Sequence, residues 1–339
     1  MSQSAQATAP HAKQPRLGFL GVGWIGRHRL QVVAQAGCAQ IVAIGDAVAD
    51  TAARATELLP RTQIVDSLEA LLELEPDGVV IATPSGLHAQ QAITALNHGT
   101  AVFCQKPLAR THIETQTVIK AARQADRLLA VDFCYRMVAG VPRLRELIRS
   151  GELGQIYAID LVFHNAYGPD KPWFYDLAQS GGGCVMDLGI HLIDLALWAL
   201  DFPHVREVTS RLYAQGAMLS KPITQLEDYA VAQLELENSA TARLACSWRL
   251  PAGRDAIIEA AFYGTQGGAA LRNINGSFYD FEVQHFRGTA RETLGSFPDD
   301  WAGRAVLDWT QKLSHDPRFD VAAERLAEVS QIVDAIYGR

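Results

Sequence analysis

Long stretches of a single character are missing from this chain. No basic block interrupts the mixture of 30 Lys and Arg with 37 Asp and Glu, and the net charge is −7. Nothing electrostatic therefore points to nucleic acid or to an anionic membrane surface. Cysteine is sparse: Cys38, Cys104, Cys134, Cys184 and Cys246 are scattered, odd in number and never spaced as CxxC. That argues against a disulfide framework and a structural zinc site, and fits free thiols in a reducing cytoplasm. Residues 1–15, MSQSAQATAPHAKQP, lack the apolar core of a signal peptide and read as a disordered tail. A membrane span is not expected either. The most apolar run, 184–200, carries Asp187, His191 and Asp194 and is shorter than the ~20 residues a span needs. Each acid would cost about 2.5–3.5 kcal/mol at mid-bilayer. The run reads as a buried helix, and the question is why it holds three polar groups.

What is present is ordinary globular composition, 48% hydrophobic and 20% charged over 339 residues, enough for two domains with cores of their own. From Arg16 short apolar runs alternate with helical stretches. Strands are expected at 17–21, 40–46, 77–83, 101–104 and 128–133. Helices are expected from Trp24 and over 49–59, 86–97 and 111–125. Continuous apolar strands in such alternation imply a parallel α/β sheet covered on both faces. After about residue 134 the texture changes. A helix at 142–150, a strand at 155–164 and the 184–200 helix are followed by strands at 205–214, 229–238, 239–250 and 256–264, with a hairpin turn at 237–240. Two helices near 299–313 and 320–337 close the chain. The division expected is a first domain over 16–133 and a mostly antiparallel α+β domain over 134–339.

GVGWIG (21–26) fits GxGxxG and sits where that motif has meaning, between the first strand and the first helix. Gly21 permits the tight turn, Gly23 lets backbone approach a pyrophosphate, and Gly26 lets the helix, which opens at Trp24 and Ile25, pack closely on the sheet. The phosphates then meet the positive end of that helix. Asp46 ends the second strand 20 residues after Gly26, where an acid accepts from the adenosine ribose hydroxyls. Its alternative reading is a helix N-cap. No Lys or Arg occurs between Asp46 and Arg54, so NAD is favoured over NADP. TPSGLH (83–88) lies past a strand's C-terminal end. There Thr83 and Pro84 line the cofactor groove or serve plain turn chemistry. His88 faces the cofactor or sits solvated in its first turn.

QKPLA (105–109) places Lys106 at the same ligand edge, with Pro107 holding it extended. In MDLGIHLID (186–194), Asp187 and His191 stand at i and i+4, and Asp194 at i+7 continues that face. Polar groups on a buried helix are costly unless paired or used. The structural alternative is a satisfied core histidine bonded to Asp187.

Taken in order, GVGWIG, Asp46, TPSGLH, QKPLA, YRM (135–137), SGELG (150–154) and GGGCVMDLGIHLID (181–194) resemble the Gfo/Idh/MocA oxidoreductases, the family of glucose–fructose oxidoreductase and inositol 2-dehydrogenase. The resemblance runs from Arg16 to the last helix. It implies a Rossmann domain followed by an α/β domain with an open, mostly antiparallel sheet that often forms the interface of a homodimer or homotetramer. It also implies NAD(P)-dependent oxidation of a secondary hydroxyl on a sugar or cyclitol, or the reverse. Lys106 matches the lysine of the family's EKP motif, Asp187 and His191 its D-x-x-x-H element, and Asp194 a further polar position that often faces substrate. In such chemistry His191 takes the hydroxyl proton, Asp187 holds substrate or tunes the histidine, and Lys106 bonds the reacting oxygen. No metal is needed. Gln105 departs from the usual glutamate and removes a charge near the cofactor, so Lys106 titrates lower than in relatives or the nicotinamide contact differs.

The segment 164–183 is rich in aromatic and hydrogen-bonding groups, among them His164, Asn165, Tyr167, Lys171, Trp173 and Tyr175, a mixture that suits sugars. Tyr135 and Arg136 are further pocket candidates, although Arg136 also reads as a buried structural charge. The competing functions are an NADPH-dependent sugar reductase, a family glycosidase that uses NAD transiently, and a regulator that binds nucleotide without turnover. The joint presence of Lys106, Asp187 and His191 argues against the last.

Overall fold

A computed structural model of the chain describes residues 14–57, 59 and 62–339. Most of the expected N-terminal tail, and part of the end of the helix expected over 49–59, lie outside the described residues. Gln14 and Pro15 are already anchored: Gln14 Nε2 donates to the Gly37 carbonyl at 2.6 Å, and the Pro15 carbonyl accepts from Gln40 N at 2.9 Å.

The first half alternates strand and helix: β1 (Arg16–Leu20), α1 (Trp24–Ala36), β2 (Gln40–Gly45), α2 (Ala49–Thr56), β3 (Gln63–Val65), α3 (Leu68–Leu72), β4 (Gly78–Ile81), α4 (Ser85–Asn97), β5 (Ala101–Cys104), α5 (His112–Ala125) and β6 (Leu129–Val131). The strands form one parallel sheet in the order β3-β2-β1-β4-β5-β6. Every residue of β4 and β5 is buried, which is what sequences as apolar as GVVI and AVFC require with helices on both faces. The order reverses between β1 and β4, and a crevice opens there at the carboxyl ends of the strands.

The second half runs α6 (Val141–Arg149), β7 (Ile156–Asn165), α7 (Leu177–Ser180), a π turn at Val185–Gly189 that continues into α8 (Ile190–Ala199), and then β8 (Val205–Ala214), β9 (Ala217–Met218), β10 (Tyr229–Leu236), β11 (Thr241–Ser247), β12 (Ala256–Gly264), β13 (Gly268–Asn273), β14 (Phe281–Arg287) and β15 (Ala290–Ser296). These strands form a nine-stranded sheet in the order β15-β14-β13-β12-β7-β11-β10-β8-β9. Only β7 and β11 pair in parallel. The expected class, a parallel Rossmann sheet plus an open, mostly antiparallel one, is what the structure has. β10 and β11 meet at the expected hairpin, with Ser239 in the left-handed region at φ 66°. β3, α3 and β13 to β15 were not anticipated. The first two are very short, and β15 is largely exposed, so no clear alternation marks it.

Two helices end the chain, α9 (Arg304–His315) and α10 (Leu326–Tyr337). α9 crosses back onto the first sheet. Trp309 is 1% exposed and packs at 5.6 Å against Phe103 of β5. The run Leu177–Ala199 is the one helical stretch, among the described residues, long and apolar enough to cross a membrane, yet 89% of its most apolar window is buried. Its apolar surface is spent on the core.

Candidate active site

The crevice at the strand ends is a cleft of about 1120 Å3 between the two sheets. The glycine loop forms one wall. Gly21 has φ +80°, and a Cβ there would lie 2.6 Å from the backbone of Ala82, so the turn out of β1 and its contact with β4 both require glycine. A Cβ on Gly26 would sit 2.0 Å from the Gly21 carbonyl. Gly23 differs: among the described residues nothing lies within 4 Å of its missing Cβ, and none supplies a side-chain cap where α1 starts. Its first N–H groups are left facing the cleft, an arrangement that fits a pyrophosphate. Trp24 and Ile25 line the same wall.

Asp46 also lines the cleft. Its Oδ2 accepts from Val22 N at 2.8 Å and its Oδ1 from Val48 N at 2.9 Å. The carboxylate thus ties the end of β2 to the glycine loop. It does not cap α2, whose N-cap is Val48. Arg54, further along α2, lines the cleft too. Thr83 and Pro84 form its rim, with Thr83 Oγ1 donating to Gln91 Oε1 at 2.6 Å. His88 is not a solvated first-turn residue. It is 1% exposed, and its two ring nitrogens lie 2.7 Å from the carbonyls of Thr83 and Pro107. It joins the turn after β4 to the turn after β5.

The other end of the cleft is where Lys106, Asp187 and His191 converge. Lys106 Nζ donates to Asp187 Oδ1 at 2.8 Å and to the Asp187 carbonyl at 2.7 Å. Trp248 Nε1 donates to Asp187 Oδ2 at 3.0 Å. The carboxylate is therefore occupied by a lysine and an indole, and the bond to His191 that the structural alternative requires is not among the bonds of the described residues. His191 stands edge-on to Tyr135 at 5.0 Å, and its Nδ1 is buried with no partner among the described residues. Burial first, then the charges of Lys106 and Arg29, push its pKa well below 6.5. It is a neutral imidazole at physiological pH, the form that accepts a proton. Met186 N, in the π turn, bonds the Tyr337 hydroxyl at 3.1 Å. Buried Glu227 holds the start of that turn, accepting from Gly183 N at 3.0 Å, Val185 N at 2.9 Å and the Tyr337 hydroxyl at 2.8 Å.

The charge expected to be missing at Gln105 stands next to it. Gln105 Nε2 donates to the buried Asp132 carboxylate, and Gln105 Oε1 accepts from Lys106 N at 3.1 Å. Asp132 also takes Arg29 Nε at 2.6 Å.

Not every candidate reaches the cleft. Tyr135 and Trp173 line it. Asp194 does not: it is 1% exposed and paired with Arg136 at 2.5 Å. The Arg136 guanidinium lies among the rings of Phe133, Trp198 and Phe202, 5.5 to 5.8 Å from their centroids. A π turn carries more residues per turn, so the 3.6-residue phase does not extend from Asp187 to Asp194. His164 and Asn165 also lie outside the lining. His164 Nδ1 meets Ser247 Oγ at 2.8 Å and its ring stacks on Tyr229 at 6.1 Å. The Asn165 Oδ1 is buried without a partner among the described residues. Conversely, Phe174, Met186, Phe278, Tyr279 and Trp301 line the cleft and were not anticipated. Trp301 Nε1 donates to the Tyr279 carbonyl at 2.9 Å. The available signal was an aromatic pair in the turn-rich segment 273–281.

Residues 16–133 match the model of an oxidoreductase family with an NAD-binding Rossmann fold, and residues 141–270 match the GFO/IDH/MocA C-terminal domain. The D-glucoside 3-dehydrogenase of Escherichia coli K12 is 30% identical over 243 residues, 68% of this chain and 69% of that protein. The chain belongs to the Gfo/Idh/MocA family of oxidoreductases. Another member, inositol 2-dehydrogenase 1 of Mycolicibacterium vanbaalenii, is 28% identical over 86% of this chain and 90% of its own. Among solved structures, a levoglucosan dehydrogenase in complex with NADH superposes with a TM-score of 0.81 at 19% identity, covering 95% of both chains. At that identity the likeness speaks for the fold. The family's NAD-binding character agrees with the uncapped α1 and the open space at Gly23.

Proposed function

We propose that this family member is an NAD-dependent dehydrogenase that oxidises a secondary hydroxyl of a sugar or cyclitol. The observation that carries the reading is the convergence of Lys106, Asp187 and neutral His191 at one end of the nucleotide cleft. When bound, the nicotinamide supplies the hydride acceptor. The chain's own groups do the rest. The Lys106 ammonium, oriented by Asp187, donates to the substrate oxygen and stabilises the charge that develops there. Trp248 holds the second oxygen of Asp187, so the lysine is aimed and not merely neutralised. His191, kept neutral by burial, takes the hydroxyl proton. Tyr135, Trp173, Phe174, Tyr279 and Trp301 make the cleft wall aromatic, a lining that suits a sugar or cyclitol ring. The names of relatives that act on glucosides and inositol support the substrate class.

Asp46 at the end of β2 supports NAD. One observation favours NADPH as the second reading: Arg54 lines the same cleft as Asp46, and a cation there can pair with a 2′-phosphate. We also propose that the uncovered face of the nine-stranded sheet, where Arg211, Gln233 and Arg243 stand outward, joins copies of the chain into a dimer or tetramer.

Lys106→Ala and His191→Ala test the assignment. Each is expected to lower kcat by roughly 100-fold to 1000-fold while NAD binding, measured by calorimetry, persists. Wild-type rates in either variant remove the assignment.

A further inference from the structure

Asp132 ends the strand β6 region and is 0% exposed. No part of the proton transfer described above uses it. Its Oδ2 receives both Arg29 Nε and Gln105 Nε2, and its Oδ1 is buried with no hydrogen-bond partner among the described residues. A buried carboxylate with one oxygen unsatisfied is costly, so a group in this state asks for a use. Arg29 is only 2% exposed, yet it lies on the cleft lining, and its Nη1 meets His28 Nδ1 at 2.8 Å. Gln105 carries the link onward, because its other atom accepts from the backbone N–H of Lys106. The amide orientation is fixed by this arrangement: turned over, Gln105 would set its carbonyl oxygen against a carboxylate. Arg29, Asp132 and Gln105 therefore form one unit. One end is a cation on the floor of the cleft and the other is the backbone of the lysine.

We propose that Asp132 is a positioning residue of the cofactor site: its buried carboxylate neutralises Arg29 beneath the cleft, fixes the Lys106 backbone through Gln105, and so sets the balance between oxidised and reduced nicotinamide. The inference rests on the cleft being a nicotinamide nucleotide site. The oxidised ring is cationic and the reduced ring is not. Without the Asp132 charge, Arg29 is an uncompensated buried cation, and in a poorly solvated site it repels the oxidised form alone. A role confined to folding would affect both forms alike.

The test is the dissociation constant of NAD+ and of NADH, measured by calorimetry on the full chain. Asp132→Asn is expected to weaken NAD+ by about tenfold and NADH by less than about threefold. The exchange variant Gln105→Glu with Asp132→Asn keeps one carboxylate and one amide in contact, and is expected to restore a wild-type ratio. Equal weakening of the two nucleotides, no weakening, or an exchange variant no closer to wild type than Asp132→Asn would overturn the proposal. If Asp132→Asn does not fold, thermal denaturation of the exchange variant decides. Cooperative unfolding with a wild-type NAD+/NADH ratio supports the unit, and failure to fold overturns it. A wild-type chain that binds neither nucleotide would instead remove the cofactor reading, which keeps the two failures apart.

Discussion

His191 is the residue on which the pH behaviour turns. Its ring is buried against Tyr135 and shares its surroundings with the cations Lys106 and Arg29. All three influences disfavour the imidazolium, so the folded pKa lies well below 6.5. The base is competent whenever it is neutral. We therefore expect kcat/KM for oxidation to stay level as pH falls through 6.5 and to drop only further into acid. A profile that breaks at 6.5 or above would contradict this environment. The same shift works on stability. Unfolded histidine binds a proton as pH drops below 6.5 while folded His191 does not, so its contribution to stability is present above 6.5 and is lost as pH falls toward the lowered value. Much of this site was legible in the sequence. Lys106 follows a strand, and Asp187 and His191 lie four residues apart in one apolar run, so local spacing brings them to the same end of the cleft. Arg136 was not legible as the partner of Asp194, since 58 residues separate them and no spacing rule spans that gap. The Asp132 contact with Gln105, across 27 residues, escaped for the same reason.

At the scale of elements, the stretch Val185–Gly189 matters most. It was expected to be α-helix and is a π turn, a form often found at functional sites. Its geometry depends on Glu227, which receives two backbone N–H groups and the Tyr337 hydroxyl while fully buried. Burial raises the Glu227 pKa, and these bonds oppose that rise. Glu227→Gln supplies one carbonyl oxygen where two oxygens were needed and leaves a buried N–H unpaired. The cost is about 1–3 kcal/mol, seen as a fall of several degrees in Tm, with kcat reduced because Asp187 rides on the turn. An unchanged melting temperature together with unchanged kcat would show that Glu227 does not hold it. The regular strands were legible because apolar runs are long and bounded by turn residues. β3 has three residues and β15 is mostly exposed, so neither leaves a periodic pattern.

At the scale of the molecule, two sheets meet along one cleft, and α9 returns from the far end of the chain to cover the first sheet. The two layers were legible from the change of texture near residue 134. The return of α9 was not, because amphipathic sequence shows that a helix has a buried face without saying which sheet it covers. The outward face of the nine-stranded sheet is predicted to carry self-association. Sedimentation velocity is expected to give a dimer or tetramer for the wild type, with smaller species when Arg211 and Arg243 are both changed to Glu; a monomeric wild type would refute it.

The central claim is that the cleft carries out net hydride transfer from a sugar or cyclitol to NAD. The most direct measurement is a panel of monosaccharides, glucosides and inositols incubated with the protein and NAD or NADP, read by the absorbance of the reduced nucleotide. The account predicts steady accumulation of NADH, with at least one ring polyol and NAD as the better cofactor. Cleavage of a glucoside without net NADH, or a response only with NADP, would contradict it.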